Sequence, residues 1–451
     1  MTITRFLLKN AAIINEGEAF NADLYINKGL IEKIFRGGHK DQINEADTRV
    51  LDLAGMLLLP GVIDDQVHFR EPGLTHKADL STESRAAVAG GITSFMEMPN
   101  TLPQTTTQEQ LEEKFRMASE KSLANYSFYI GATNNNSDEL RATDKKNVCG
   151  IKVFMGSSTG NMLVDDPAAL AEIFRDAKLP VAVHCEDEKT IAANMQLACD
   201  KFGEDIPPYM HAIIRNHQAC ETSTRHALGL AEKFNTRLHL LHLSTSNEVR
   251  LLRNDIPLSE KQITAEVCIH HLWFSIDDYA KKGTLIKWNP AVKYEDDRIA
   301  LIEGIRDGYL DVIATDHAPH TLSEKQNPYK TCPSGGPMVQ HALPAMLTLA
   351  AQNGISPERT VELMCHNPAI CFNVQNRGFI REGYAADLVV VNPAKKTLVT
   401  NENILYKCGW SPLEGITLDY TIEHTFVNGN LVYDKGDIIE GFRGEALVFS
   451  R

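Results

Sequence analysis

The sequence has no apolar run approaching the roughly 18 residues that a membrane-spanning helix needs. It has no Cys-x-x-Cys pair: its nine cysteines are scattered and odd in number. They read as reduced thiols of a cytoplasmic protein rather than as a disulfide framework. Cys185, beside a candidate site histidine, reads as a small buried residue. Positive charge is not in excess either. Lys and Arg number 45 against 59 Asp and Glu, a formal net charge of −14. A field of that sign repels nucleic acid and anionic membranes, so neither is an expected partner. The opening residues, MTITRFLLKNAAIINEGEAF, contain neither a long apolar core nor a small-residue cleavage site, so no targeting segment is expected there. Internal repeats and low-complexity segments are also missing.

What is present is an ordinary globular composition, 43% hydrophobic and 23% charged over 451 residues. That length can bury a large core, as one barrel with an accessory domain or as two to three smaller domains. Residues 1–54 read as short strands separated by Asn-Glu-Gly and Asn-Lys-Gly turns. From residue 55, short apolar strands alternate with helical stretches at 108–121, 167–177, 220–233 and 296–306. The strands are expected at 62–68, 93–98, 126–130, 151–155, 181–184, 237–242, 263–267 and 311–315. Eight strands with intervening helices predict an α/β fold, a (β/α)8 TIM-type barrel over residues 55–375. A doubly wound open sheet is disfavoured because no Gly-rich loop follows the first strand. Near residue 375 the helical pattern stops. Residues 376–451 return to strands and are expected to join 1–54 in one small β domain.

The stretch LLLPGVIDDQVHFREPG, residues 57–73, ends a strand in polar side chains. Strict alternation puts Asp64, Gln66, His68 and Arg70 on one face and turns Asp65 away. In such barrels the working residues lie at the C-terminal strand ends. Pro99-Asn100 follows the second strand, Lys152 lies in the fourth, and His184, His242 and Asp316 end the fifth, sixth and eighth. Histidines and an aspartate converging on one mouth are nitrogen and oxygen donors suited to a metal. His239 has the opposite parity to His242 and is expected to face the outer helices. His270 and His271 are expected to be structural. Lys152 lies among Ile151, Val153 and Phe154, where desolvation disfavours an ammonium. Two readings stand side by side. Its stem packs while the ammonium reaches a carboxylate, or the neutral amine takes up carbon dioxide as a metal-bridging carbamate.

The segments PGVIDDQVHFREPG, GGITSFMEMPNTLP, GIKVFMGSSTG, VAVHCED, LHLLHLST, TAEVCIHHL and ATDHAPH together resemble the successive signatures of bacterial dihydroorotases. These form part of the cyclic amidohydrolase group of the amidohydrolase superfamily, and the flanking segments resemble that group's composite β-sandwich domain. The resemblance implies two zinc ions, one held by His68 and Asp316 and the other by His184 and His242. Carboxylated Lys152 and a hydroxide would bridge them. It implies reversible hydrolysis of dihydroorotate to N-carbamoyl-aspartate in pyrimidine synthesis, with Asp316 as the proton carrier. Arg70, Asn100 and His320 would bind the substrate carboxylate, and Asn289 the ring. The Gly-rich loop 332–340 is expected to bring backbone groups to the substrate. The resemblance also implies a homodimer.

One departure stands out. The family's metal set begins His-x-His, and the first histidine position here is Gln66. A neutral amide oxygen is a poor zinc ligand, so weaker binding is expected on that side. Ile269, where the family usually has proline, carries little functional weight. Two further roles compete: a non-catalytic subunit supporting aspartate transcarbamoylase, and another cyclic amidohydrolase such as a hydantoinase or allantoinase.

Overall fold

The computed structural model describes residues 5–38, 43, 48–156 and 162–451, so the Ser157–Gly160 end of the GIKVFMGSSTG signature lies outside it. The chain begins with β1 (Phe6–Asn15), β2 (Glu18–Asn27), β3 (Leu30–Phe35), β4 (Arg49–Asp52) and β5 (Leu57–Pro60). Glu16-Gly17 and Lys28-Gly29 join the first three, with φ of 53°, 77°, 51° and 82°. Two central residues at positive φ make a two-residue turn whose twist matches a hairpin.

Eight parallel strands follow: β6 (Val62–Val67), β7 (Ile92–Glu97), β8 (Asn125–Gly131), β9 (Gly150–Phe154), β10 (Val181–His184), β11 (Leu238–Leu240), β12 (Ile263–Cys268) and β13 (Val312–Ala314). They neighbour one another in chain order. Between β13 and β6 the gap is crossed just beyond the strand ends, where His68 N–H donates to the His317 carbonyl at 2.7 Å. The barrel is thus nearly closed.

Side-chain alternation explains its two surfaces. Ile151, Val153, Val181, Val183, Leu238 and Leu240 face outward into one apolar core. There they meet Leu170, Ile173 and Phe174 of the helix Pro167–Asp176, and Leu301, Ile302 and Ile305 of Glu295–Asp307. Lys152, Ala182, His239 and Thr264 stand in register on neighbouring strands and therefore share the inner face. Ile63, Met96, Tyr129, Leu241, Val312 and Phe372 form an apolar plug.

The terminal sheet takes in both ends of the chain. After β13 come β14 (Leu388–Asn392), a short pair β15 (Thr397–Leu398) and β16 (Thr417–Leu418), then β17 (Thr421–Val427), β18 (Asn430–Asp434) and β19 (Asp437–Ile438). The nine-stranded sheet runs β19-β18-β17-β14-β5-β1-β2-β3, with β4 also on β1. It curls on its own apolar face: Phe6 of β1 meets Phe426 of β17 edge to face at 5.0 Å. β5 is the hinge between the two bodies. It pairs with β1 and β14, and at Gly61 the chain passes into the barrel. Gly61 permits that passage, since a Cβ there would lie 2.0 Å from Thr93 Oγ1. The C-terminal tail returns to the barrel, where Leu447 N–H donates to the Tyr126 carbonyl at 2.8 Å. Among the described residues no helix is long and apolar enough to cross a membrane.

Candidate active site

A cavity of about 160 Å³ opens at the C-terminal ends of the barrel strands. Nine of the ten residues singled out from the sequence line it: Gln66, His68, Arg70, Asn100, Lys152, His184, His242, Asn289 and Asp316. The tenth, His320, touches Arg70 from behind, with Nε2 3.1 Å from Nη2.

Two groups of donor atoms face each other across this space. His184 Nδ1 and His242 Nε2 are 3.0 Å apart. His242 reaches the interior because its backbone is left-handed, φ 41°, just beyond β11. Its N–H donates to Glu266 Oε1 at 2.8 Å, which fixes that turn. In the other group, His68 Nε2 lies 3.2 Å from Asp316 Oδ1. Asn100 Oδ1 sits 2.7 Å from His68 Nδ1, which leaves Nε2 to face the cavity. Gln66 does not stand as a free donor: Nε2 donates to Asp316 Oδ1 at 3.2 Å, and Oε1 faces Cys268 Sγ at 3.8 Å. Asp316 too is left-handed, φ 44°. Asp64 supports that turn, accepting from Thr315 Oγ1 at 2.6 Å and from Thr315 N–H at 3.2 Å. Burial pushes the Asp64 carboxyl up to about 7.

The electrostatics suit a cation. Burial holds the His68 and His184 imidazoles below their ordinary value. Burial also holds His242 well below it, assisted by His184 and Lys152. Neutral imidazoles are what a metal requires. Lys152 is 1% exposed, and its Nζ has no hydrogen-bond partner. Its ammonium therefore does not reach a carboxylate for an ion pair. Burial lowers it from 10.5 to about 7, against the pull of Glu266 and Asp316. Its Nζ lies 4.5 Å from the centre of the Phe154 ring, and a buried amine with no hydrogen-bond partner in this lining fits an added carboxylate group.

The substrate side is built from loops. Arg70 is left-handed, φ 68°, and its Nε donates to the Pro319 carbonyl at 3.0 Å. His320 sits between cations: Lys77 Nζ is 3.0 Å from its Nδ1, and burial together with Arg70 and Lys77 keeps it well below its usual range. Ser334 and Gly335 of the Gly-rich loop reach the cavity lining. Gly335, φ 127°, admits no side chain, because a Cβ would lie 2.5 Å from the Ala318 carbonyl oxygen. Two buried lysines anchor this loop. Lys287 Nζ donates to the Tyr329 and Cys332 carbonyls, and Lys325 Nζ to those of Lys287 and Pro333. Asn289 Oδ1 is sealed from solvent and has no partner.

Two expectations fail. Asp65 does not turn away from the interior. The β6–β7 register slips between Asp64 and Val67, so three steps on β6 match two on β7. Asp65 keeps the inward parity of Ile63, and its carboxylate lies within 3.0 Å of His239 Nε2, while the irregularity lets Gln66 face the interior beside it. His239 does not face the helices either, since it shares the inner face with Lys152. Asp64 shares the strand with Gln66 and His68 but lies against Thr315 rather than in the cavity lining. His270 stacks on Trp288 at 4.3 Å and lies outside the lining, as does His271.

Three participants were missed. Trp288 forms part of the wall, and its Nε1–H donates to the Asp316 carbonyl at 3.3 Å. Glu186 lies 3.0 Å from His184 Nε2 and is paired with Arg215, and it is held down at about 2 despite burial. Glu266 was visible only as an acid within the apolar strand ITAEVC.

The sequence profile of the Amidohydrolase family matches residues 57–432. A dihydroorotase of Methanosarcina acetivorans is 33% identical over 98% of this chain and 94% of its own length. One of Bacillus cytotoxicus is 32% identical over 95% and 98%. Among solved structures, the L-hydantoinase of Arthrobacter aurescens superposes with a TM-score of 0.89 at 26% identity, over 96% of this chain and 97% of that one. That family membership implies a bound metal, for which the facing imidazoles, the carboxylate and the buried lysine supply a fitting set of donors. The chain belongs to the amidohydrolase family, among the dihydroorotases.

Proposed function

We propose that the cavity catalyses reversible hydrolysis of the ring amide of dihydroorotate, giving N-carbamoyl-aspartate for pyrimidine synthesis. His184 Nδ1 and His242 Nε2 would hold one zinc ion, and His68 Nε2 and Asp316 Oδ1 a second. Lys152, as its carbamate, would serve both. When bound, zinc supplies water activation near neutral pH and polarises the scissile carbonyl. Asp316 takes one proton from the attacking water and passes it to the ring nitrogen as the carbon–nitrogen bond breaks. The Gln66 amide and the Trp288 indole hold Asp316 for both transfers. Arg70, backed by His320, grips the substrate carboxylate, and Asn289 contacts the ring. Phe154 and Trp288 line the wall and reduce access of bulk water.

The reading extends to organisation. Residues 1–60 with 376–451 act as one composite domain beside a 61–375 catalytic barrel, because β5 lies in the terminal sheet and not in the barrel expected from residue 55. The working form is a cytoplasmic homodimer. Support of aspartate transcarbamoylase is the alternative role, favoured by Gln66 standing at a histidine position.

The observation that carries the substrate assignment is a guanidinium, 4% exposed, in the same lining as the metal donors. A hydantoin has no carboxylate for it. The hydantoinase reading has its own support in the Arthrobacter structure. Initial rates on dihydroorotate, hydantoin and dihydrouracil separate the two. Dihydroorotate should be strongly preferred. Arg70→Ala should raise its KM by about 10²-fold, the worth of one or two charged hydrogen bonds, with metal content unchanged. Equal turnover of hydantoin by the native protein would replace this reading with the second.

A further inference from the structure

We propose that the barrel contains a separate divalent-cation site beneath the cavity, formed by Asp65, His239 and Glu266. Each offers one ligand atom within 4.8 Å of the others. All three are buried, at 0%, 2% and 0% exposure, and none lines the cavity above. Thr264 explains how the imidazole is set. Its hydroxyl donates to the Leu238 carbonyl at 3.4 Å, so at 2.8 Å it accepts from His239 Nδ1–H. In the neutral ring, Nε2 then presents a lone pair, and that lone pair faces carboxylate oxygens of Asp65 at 3.0 Å and Glu266 at 3.6 Å.

A lone pair opposed to carboxylate oxygens in a dry layer needs a cation or a proton between them. A proton on Nε2 is the rival occupant. The geometry does not favour it. Nε2, both Asp65 oxygens and Glu266 Oε2 all lack an aligned hydrogen bond despite their proximity. Ligand atoms gathered around a point, none aimed at another, suit an ion at that point. One imidazole and two carboxylates select zinc or a similar first-row divalent metal over calcium or magnesium. Thr264 plays the outer role that orients a metal-binding histidine.

The site does not depend on the reaction proposed above, and its test reads metal rather than turnover. Crystals of full-length protein produced in zinc-supplemented medium are measured at the zinc absorption edge. An anomalous peak is expected between Asp65, His239 and Glu266, distinct from any peak beside His184 and His242. Absence of scattering at that point overturns the proposal and assigns the position to a proton. In solution, Asp65→Asn should hold one metal ion fewer per chain than the native protein. An unchanged metal content would likewise overturn it. Because the first measurement needs no variant, a variant that fails to fold leaves the test intact.

Discussion

The β10–β11 wall of the cavity and its β6–β13 wall are made of different chemistry. On the first, two neutral imidazoles meet at 3.0 Å, each on a strand end and each held by a buried glutamate nearby. On the second, one imidazole faces a carboxylate whose oxygen also accepts from an amide. Two imidazoles form a strong nitrogen pair for zinc, whereas Gln66 occupies its neighbour's oxygen instead of adding a donor. The difference teaches that a strand end can keep its shape while changing its task. Gln66 donates to Asp316 and so helps fix where its carboxylate points.

The comparison can be broken most severely at Asp316. Asp316→Asn keeps the shape and removes the proton carrier, so kcat should fall by about 10³-fold. The β10–β11 wall should retain its metal, measured by metal analysis of the same sample. Loss of metal from both walls would show that they are not separate. A smaller effect is expected at Gln66. Gln66→His should slow chelator removal of the weaker ion by about tenfold, as an added ligand does. The stronger ion should leave at an unchanged rate. If both rates move together, the asymmetry belongs to Lys152 rather than to Gln66.

The smallest effect concerns pH. Lys152 is lowered from 10.5 to about 7 in the folded protein. Its neutral amine, the form that reacts with carbon dioxide, is therefore lost as pH falls through about 7. Reactivation of metal-free, bicarbonate-depleted protein by bicarbonate and zinc should rise with pH up to about 7 and then level off. The same protein binds fewer protons folded than unfolded between about 7 and 10.5, so its stability should rise with pH across that window. A reactivation profile that keeps climbing towards 10.5 would mean that burial does not lower this lysine.

The barrel and most of the cavity were legible because function sits at strand ends, and strand ends are marked by polar residues closing apolar runs. His184, His242 and Asp316 were found that way, and Lys152 by its apolar neighbours. Alternation failed where the backbone left the ideal strand. Asp65 faces inward with Ile63, and the slip between Asp64 and Val67 lets Gln66 do so as well, which no residue type in IDDQV announces. At β11 the left-handed turn at His242 lets an inward residue follow an outward Leu240 at the same parity, which inverted the reading of His239. Positive φ at a histidine is rare enough that sequence pattern does not suggest it. Glu186 and Trp288 act through partners far along the chain, Arg215 and Asp316, which only folding brings near.

The central claim is that this cavity, with zinc on both walls and Lys152 between them, interconverts dihydroorotate and N-carbamoyl-aspartate. Zinc-loaded native protein and Lys152→Ala should be assayed in both directions, with metal counted in the same samples. The account predicts turnover by the native protein and its loss, together with metal, in Lys152→Ala. Native protein fully loaded with zinc that turns over neither compound would contradict it.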